Sequence, residues 1–521
     1  MGSVSNRLHR LLPRDALIAD GGTGVQSAVS IVFPRKPAPG LWTIIMVLTL
    51  ALAFLGSRGI WDPDEGRYTN VAVNMLDSGD WLNPRRNDEV GHWTKPPLTY
   101  WAIASSVGVL GRNPWAARLP IALAYLLCVW LTWRIARRLA PGTETPAAVV
   151  YATMLLPFGA SQLVTTDFVL AACETLAVWA FVEARWGKTR SKAWISLMWA
   201  AFALAFLAKG PPGLLPLAAI VLCDWLLPGR RRALEITGIG LFAVLALPWY
   251  AAVVMNNRGL FEYFVGDEVV NRIATDAFGR NGQWYGWLAV YAPTLVLGTM
   301  PWTPSLWRWT RILPARIRRW RDPGARDQEA AMLLLAIWVL LPLAVFCLAR
   351  SRLPLYVLPV FVPLAILIAI QRRGERRSLP HWGWLAAWCG ALLALKLGAA
   401  AWPSHKNAAE WSDVLRSRTP DVIHEVVFVE DMARYGLRLH LNAEIEKVSL
   451  LPVAGARFNP TFDEDLATEL GEGEPGVVYI TKQALWAEIR SRIEAKGYRV
   501  KTLGGPYRER VMFTVAPMQG P

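Results

Sequence analysis

Charged residues are scarce in this 521-residue sequence, in which 18% of positions are Asp, Glu, Lys or Arg and 54% are hydrophobic. Residues 41–57 contain no ionisable side chain, and comparable apolar runs recur up to about residue 402. A run of this length can cross a hydrocarbon core of about 30 Å. The shortage of charge excludes a soluble globular protein and indicates a polytopic α-helical membrane protein.

Cysteine is also rare. All five cysteines lie within apolar runs, at Cys128, Cys173, Cys223, Cys347 and Cys389. None has the spacing of metal ligands and none lies in the C-terminal segment, so disulfides do not shape a soluble domain, and we expect buried packing cysteines. A glycine-rich phosphate loop and a Walker pattern are missing too, which gives no support to a nucleotide-binding enzyme.

Basic residues give the chain a formal net charge of +15, but their positions argue against nucleic acid as a partner. They cluster in short loops between apolar runs, which is typical of cytoplasmic loops. The clusters are Arg134–Arg138, Arg185–Lys192, Arg230–Arg232, Arg308–Arg326 and Arg372–Arg377. Residues 1–40 are basic and show no signal-peptide cleavage site, so we predict a cytoplasmic N-terminal tail.

The charge rule predicts eleven membrane spans within residues 41–402. The spans are 41–60, 116–139, 145–163, 167–186, 193–208, 212–227, 233–255, 284–306, 330–349, 353–370 and 381–402. The short run Leu98–Leu110, which follows two prolines, is predicted to be embedded without crossing, because a crossing would put basic loops on both sides. The external loops are then 61–115 and 256–283. Residues 403–521 form a small external α/β domain, with strands predicted at the short apolar runs Val426–Val429, Val477–Ile480 and Arg510–Val515.

This topology places a set of charged residues on one external face of the membrane. The set contains Asp64, Glu65, Arg67, Lys95, Asp167, Lys209, Glu268, Arg272 and Arg352. A single lysine or arginine at a helix end can merely extend its charge to the interface, and one of the acids can cap a helix. The accumulation of both signs on one face instead indicates a site, since ionisable groups at a bilayer are costly unless they have a function.

Carboxylates and cations on this face suit transfer chemistry on a phosphate-linked lipid. A carboxylate can act as a general base on an attacking hydroxyl or bind a metal ion. Lysine and arginine hold phosphate oxygens, lysine as a point charge and arginine as a planar fork.

Five motifs resemble the bacterial branch of the GT-C glycosyltransferases, of family 39/83 type. They are Asp64-Glu-Gly-Arg-Tyr68, Trp93-Thr-Lys-Pro-Pro-Leu-Thr-Tyr-Trp101, Ala117-Arg-Leu-Pro120, Lys209-Gly-Pro-Pro-Gly213 and Arg352-Leu-Pro-Leu-Tyr-Val-Leu-Pro359. The resemblance covers residues 41–370. Within this branch, the chain resembles the protein mannosyltransferases and the lipid A aminoarabinose transferase. The C-terminal domain carries no motif of that family.

The resemblance implies a polyprenyl-phosphate sugar donor and inverting transfer at the outer face of the inner membrane. It implies catalytic roles for Asp64 and Asp167. It also implies donor-phosphate contacts from Arg67, Tyr68, Lys95, Arg272, Arg352 and Tyr356, with possible supporting roles for Glu65, Lys209 and Glu268.

Two positions depart from the aminoarabinose transferases. Thr94 stands where they usually have Glu, and Val269 stands where they have His; both are associated with a metal site there. We therefore predict no metal and no cofactor, and a reaction other than zinc-dependent transfer to lipid A.

The sequence predicts a multi-pass glycosyltransferase of the bacterial inner membrane, with its active site and C-terminal domain in the periplasm. The expected partners are the donor, membrane lipids and an envelope acceptor, which can be lipid A, another lipopolysaccharide sugar, a glycan or a protein. Protein O-glycosylation and transport of a lipid-linked sugar are the alternatives; a transporter is expected to show repeated halves, which the sequence lacks.

Overall fold

The computed structural model describes residues 40–187, 192–229, 233–271, 274–275, 279–453 and 455–518. Within these ranges, six helices are long and apolar enough to cross a membrane. They are Pro114–Leu139, Lys192–Lys209, Ile236–Asn256, Ala330–Leu348, Pro354–Gly374 and Trp382–Ala401. Shorter apolar helices accompany them, so the chain is a multi-pass membrane protein, and the prediction of a mainly helical membrane fold is confirmed.

The remaining α-helices lie before, between or after these six in the chain. They are Leu41–Leu52, Asp64–Ser78, Leu98–Leu110, Glu144–Thr153, Leu155–Ala160, Thr166–Trp186, Leu215–Leu226, Leu260–Val265, Gly286–Gly298, Thr303–Arg319, Pro323–Gln328, Ala408–Arg418, Leu437–Leu441, Leu466–Glu472 and Trp486–Ala495.

Two of the predicted spans are interrupted. The span at 145–163 divides at Met154, which has an extended backbone, and the span at 284–306 divides after Gly298. Pro157 and Pro301 lie just beyond the two breaks, and proline disfavours a continuous helix because it lacks an N–H and crowds the preceding turn. The breaks meet, since Leu155 N donates to Met300 O at 3.1 Å. The count of eleven crossings and the domain boundaries at 40 and 402 stay predictions.

The C-terminal region contains a six-stranded sheet, as its short apolar runs predicted. The strands are β1 (Glu425–Val429), β2 (Glu444–Ser449), β3 (Glu464–Asp465), β4 (Val477–Lys482), β5 (Tyr498–Thr502) and β6 (Arg510–Pro517). Their order is β3-β2-β1-β4-β6-β5, with the first four parallel and β6 antiparallel to both of its neighbours. Helices cover both faces of the sheet, each over its own apolar cluster, which is the usual protection of a parallel sheet.

Asp62 joins the sheet region to the first external loop. Its backbone N–H donates to Lys406 O at 2.9 Å, and its side chain accepts from Gly436 N at 3.0 Å. A side chain at Gly66 would come within 1.8 Å of Asp62 Oδ1, so the first turn of the following helix requires glycine at this position.

Residues 84–92 form a second connection to the sheet region. Arg86 forms an ion pair with Asp463, and Asn87 Nδ2 donates to Glu446 Oε1 at 2.6 Å. The loop that carries the predicted site residues is therefore held between the membrane helices and the sheet.

Candidate functional site

Asp64 and Glu65 begin the Asp64–Ser78 helix, where acidic groups interact favourably with the helix dipole. The Asp64 side chain is 72% exposed and lies 3.6 Å from Arg67, to which it is only loosely paired. The Glu65 side chain is 3% exposed. Two consecutive acids therefore face opposite environments, and Asp64 is the one that can meet a ligand.

Glu65 is the centre of a buried ion network. It accepts from Arg58 at 2.7 and 3.0 Å and from Arg118 at 3.2 and 3.1 Å. It also accepts from the backbone N–H groups of Trp61 and Val164. Burial alone would raise the pKa of Glu65, but the Arg118 and Arg58 charges outweigh it and lower the pKa to about 2. Glu65 thus fixes the loop to the neighbouring helices.

Lys95 lies in the first external loop, just before the Leu98–Leu110 helix, and faces Glu268. Its ammonium donates to Thr94 O at 2.5 Å and lies 3.5 Å from Glu268 Oε2. The other carboxylate oxygen of Glu268 accepts from Tyr263 OH at 3.2 Å. The first and second external loops therefore meet at this ion pair, as expected for residues of one site.

A second acid–cation pair joins Asp167 to Lys209. Asp167 is in the first turn of the Thr166–Trp186 helix and forms an ion pair with the Lys209 ammonium. The same ammonium lies 4.5 Å from the ring centre of Tyr356, and Arg280 donates to Tyr356 OH at 3.1 Å. Four segments that are distant in sequence thus supply charged or polar groups to one place.

A cavity of about 470 Å³, which we call the Lys95 cavity, is lined by Lys95, Lys209, Glu268 and Tyr356 but not by Asp167 or Arg280. Its polar residues include Thr94, Lys95, Glu174, Lys209, Glu268 and Tyr356. Most of the remaining wall is apolar and includes Leu170, Phe206, Leu247, Val254, Phe264 and Phe346. A mainly apolar cavity with two ammonium groups on its wall suits a ligand that combines a hydrocarbon chain with an anionic group.

Tyr68 connects the exposed acid to this cluster. Burial raises the pKa of its hydroxyl, and the negative charges of Asp167 and Asp64 raise it further. Its ring packs at 5.9 Å from the ring of Tyr100. Tyr68 therefore lies within electrostatic reach of both predicted catalytic acids and stays protonated.

Arg352 has a different environment from the one predicted. Its guanidinium donates to the backbone carbonyls of Asn281 at 2.7 Å, Gln283 at 2.8 Å and Cys347 at 3.1 Å. It does not line the Lys95 cavity, whereas its neighbour Ser351 does. Its contact with the donor phosphate stays a prediction, and its three hydrogen bonds to carbonyls hold a loop in place.

Arg280 is a further cation near the cavity, which the sequence motifs do not indicate. It precedes the carbonyls held by Arg352 and donates to Tyr356 OH. In the sequence it is one of several basic residues of the second external loop, where the family resemblance points to Arg272. Arg272 lies outside the described residues.

Thr94 and Val269 do not form a zinc site. Val269 offers no ligand atom, and Thr94 Oγ1 is hydrogen-bonded to His92 Nε2 at 2.8 Å. Zinc prefers nitrogen, sulfur and carboxylate ligands. In the part of the chain that the structure describes, the one group of three side chains arranged as metal ligands lies in the sheet region. The residues here do not fit the metal of the aminoarabinose transferases.

A second cavity has a volume of about 680 Å³. It is lined by Arg58 and Arg118 and by three buried polar atoms that have no hydrogen-bond partner among the described residues: Trp61 Nε1, Gln162 Oε1 and Lys396 Nζ. The rest of the wall is largely apolar. We call it the Lys396 cavity; its unpartnered polar groups are features of a ligand site, since buried polar atoms usually have partners.

Comparison with known proteins gives matches in both sequence and fold. Residues 94–255 match the family model described as dolichyl-phosphate-mannose-protein mannosyltransferase. An undecaprenyl phosphate-α-4-amino-4-deoxy-L-arabinose arabinosyl transferase of Pseudomonas aeruginosa is 32% identical over 63% of this chain and 58% of its own length. The Pectobacterium carotovorum enzyme of the same name is 32% identical over 68% of this chain and 64% of its own length. The chain thus spans less than two thirds of these curated relatives.

The fold extends the comparison over nearly the whole chain. The crystal structure of ArnT from Cupriavidus metallidurans bound to undecaprenyl phosphate aligns with a TM-score of 0.70 at 20% identity, covering 92% of this chain and 98% of that one. The archaeal oligosaccharyltransferase AglB from Archaeoglobus fulgidus aligns with a TM-score of 0.52 at 13% identity, covering 92% and 74%. The resemblance predicted from the motifs is confirmed: part of the chain is similar in sequence to these transferases, and the chain has the fold of ArnT.

Proposed function

We propose that this protein is an inner-membrane glycosyltransferase that moves a sugar from a polyprenyl-phosphate donor to an envelope acceptor at the periplasmic face. The observation that carries the proposal is the Lys95 cavity, which combines an apolar wall with Lys95 and Lys209 beside the acid Asp167. The curated relatives are named for transfer from undecaprenyl phosphate, which supports the same donor class here.

The donor fits the Lys95 cavity by its chemistry. Its prenyl chain lies against the apolar wall, and its phosphate replaces Glu268 and Asp167 as the partner of Lys95 and Lys209. Arg280 and Tyr356 lie close enough to add donors. These groups then stabilise the negative charge that develops on the departing phosphate.

Asp64 is the proposed general base. Its carboxylate is exposed, has only a 3.6 Å contact with Arg67, and can therefore approach an acceptor hydroxyl. The hydroxyl oxygen forms a bond to the anomeric carbon and gives its proton to Asp64. The bond from that carbon to the phosphate oxygen breaks, and the electron pair leaves with the lipid phosphate. Attack from the opposite face inverts the anomeric centre.

The Lys396 cavity supports a lipid as the acceptor. Its apolar wall suits acyl chains, and the Lys396 ammonium suits an anionic head group. Trp61, three residues before Asp64 in the sequence, lines the same cavity. We infer an acylated and anionic envelope lipid, such as lipid A, as the preferred acceptor.

The test is Asp64→Asn in the full chain. Transfer should be abolished, because the amide cannot accept the proton, whereas the thermal unfolding midpoint should not change, because Asp64 is exposed. Mass spectrometry of envelope glycolipids and glycoproteins from cells with wild type, variant or no protein measures the transfer. Normal transfer by the variant would remove Asp64 from the mechanism.

Glu65→Gln is the matched control at the adjacent position. It leaves two arginines without a buried countercharge, so it should lower stability by about 3–5 kcal/mol. A loss of transfer in Asp64→Asn accompanied by the same fall in unfolding midpoint would assign the effect to folding and contradict the proposed base.

A protein acceptor is the second candidate, because the family model that matches residues 94–255 is named for protein mannosyltransferases. The same mass spectra separate the two, since sugar would then appear on serine or threonine and not on lipid. If neither product changes and a lipid-linked sugar accumulates on one side of the membrane, the protein is a transporter.

A further inference from the structure

Three glutamates converge on one face of the C-terminal sheet. Glu425 is in β1, Glu446 is in the adjacent strand β2, and Glu469 is in the Leu466–Glu472 helix that covers this face. One carboxylate oxygen from each lies within 4.8 Å of the other two. The cluster is far in sequence from every motif that predicts the transferase site.

The cluster has little internal compensation. Glu425 is only 6% exposed, and its carboxylate forms no hydrogen bond or ion pair with any residue in the described ranges. Glu469 is 3% exposed; Oε1 accepts from Tyr479 OH at 2.8 Å, and the carboxyl group also interacts with that of Glu464. Glu446 accepts from Asn87 at 2.6 Å. Among the described residues, none of the three carboxylates is paired with a lysine or arginine.

Three carboxylates at this distance cannot all stay ionised in a buried site without a positive charge. Burial and the neighbouring carboxylates raise the pKa of Glu425 to about 9 and that of Glu446 to about 10. Either protons or a cation must therefore neutralise the cluster at pH 7. A cation can accept electron pairs from all three carboxylates at the same time, whereas a proton can be shared by two of them at most.

We propose that Glu425, Glu446 and Glu469 bind a divalent cation of the calcium class. The ligands are oxygens only, which hard cations prefer, and histidine and cysteine are missing from the cluster. Oxygens within 4.8 Å of one another can share Ca²⁺, whose bonds to oxygen are about 2.3–2.6 Å long. Water supplies the rest of the coordination shell.

The site would also stabilise the external loop that leads to Lys95. Asn87 belongs to the loop 84–92 and donates to Glu446, so the cation lies one hydrogen bond away from this loop. Arg86 and Asp463 hold the same loop from a neighbouring position. The cation would thus strengthen the attachment of the sheet region to the loop, and this inference is independent of the transfer reaction.

Calcium addition to the purified full-length protein in detergent tests the site. After treatment with EDTA, calcium should raise the thermal unfolding midpoint by several degrees, and sodium chloride at matched ionic strength should not. Terbium gives a direct reading, because the Tyr479 ring adjoins Glu469 and can sensitise its luminescence, which calcium should quench by displacement.

Substitutions identify the ligands. Glu425→Gln should remove both the calcium-dependent rise and the displaceable terbium signal, while remaining at least as stable as the wild type in EDTA, because one like charge is gone. Asn87→Ala should weaken terbium binding by about 10–100-fold, as expected for a group that orients a ligand. Glu488→Gln, on the exposed side of the Trp486–Ala495 helix, is the control and should respond like the wild type.

Two outcomes would overturn the proposal. In the first, calcium leaves the unfolding midpoint of the wild type unchanged, and Glu425→Gln has a higher midpoint than the wild type. Protons then neutralise the cluster. The second is a calcium response that persists in both Glu425→Gln and Glu469→Gln, since the cation then binds elsewhere.

Discussion

At the scale of single residues, three acids within four positions have three different environments. Asp64 is exposed, Glu65 is neutralised by two arginines, and Asp62 is buried, with one carboxylate oxygen that has no partner in the described part of the chain. Burial raises the pKa of Asp62 to about 7, although the hydrogen bond from Gly436 and the charge of Arg434 oppose the rise. Neighbouring residues of one chemical type therefore cannot be assigned one role.

Asp62 makes stability depend on pH. Its folded pKa of about 7 exceeds the ordinary value of 3.8, so its contribution is fully present below pH 4 and is lost as the pH rises from 4 to 7. Asp62→Asn resembles the protonated form and should be more stable than the wild type at pH 8, by at most about 4 kcal/mol at 1.36 kcal/mol per pKa unit. Unfolding midpoints of both proteins at pH 5 and pH 8 measure the difference. Parallel profiles would contradict this assignment.

At the scale of elements, Arg352 shows how a loop can be positioned by a residue outside the cavity. It bonds three carbonyls, and its own N–H donates to Arg280 O at 2.9 Å, so it fixes the segment from which Arg280 reaches Tyr356. Arg352→Lys should lower the unfolding midpoint and the activity together, because one ammonium cannot reproduce the planar fork. Arg280→Gln should raise the KM for the lipid-linked donor and leave the midpoint unchanged. Equal midpoints for the two variants would contradict the positioning role.

The sequence could predict elements better than contacts. Apolar runs bounded by charge located the helices, and alternation with helical stretches located strands β1, β4 and β6, because burial imposes those patterns directly. The breaks at Met154 and after Gly298 lie next to prolines, which apolarity alone does not distinguish from other residues of a span. Arg352 and Arg280 could not be told apart, since a motif does not reveal which carbonyls a guanidinium meets. The cluster of Glu425, Glu446 and Glu469 exists only through strand pairing and helix packing.

At the scale of the whole molecule, contacts between distant segments restrict the topology. Asp62 follows the first predicted span and bonds Gly436, which follows the last one. Two residues in contact lie on one side of the membrane, so an even number of crossings must separate them. The ten later spans of the eleven-span thread satisfy this condition. A crossing by Leu98–Leu110 would make the number odd, so this helix cannot be an additional crossing in the thread.

The eleven-span thread predicts on which side of the membrane reporters fused to the chain will be found. Alkaline phosphatase fused after Pro521 should be active, because the enzyme matures only outside the cytoplasm, and green fluorescent protein at the same point should stay dark. Fusions at Arg376, within the last predicted cytoplasmic cluster, should give the reverse result and serve as the control. If both positions report the cytoplasm, the sheet region cannot share a side with an external Asp62. The external site and the eleven-span thread would then both be wrong.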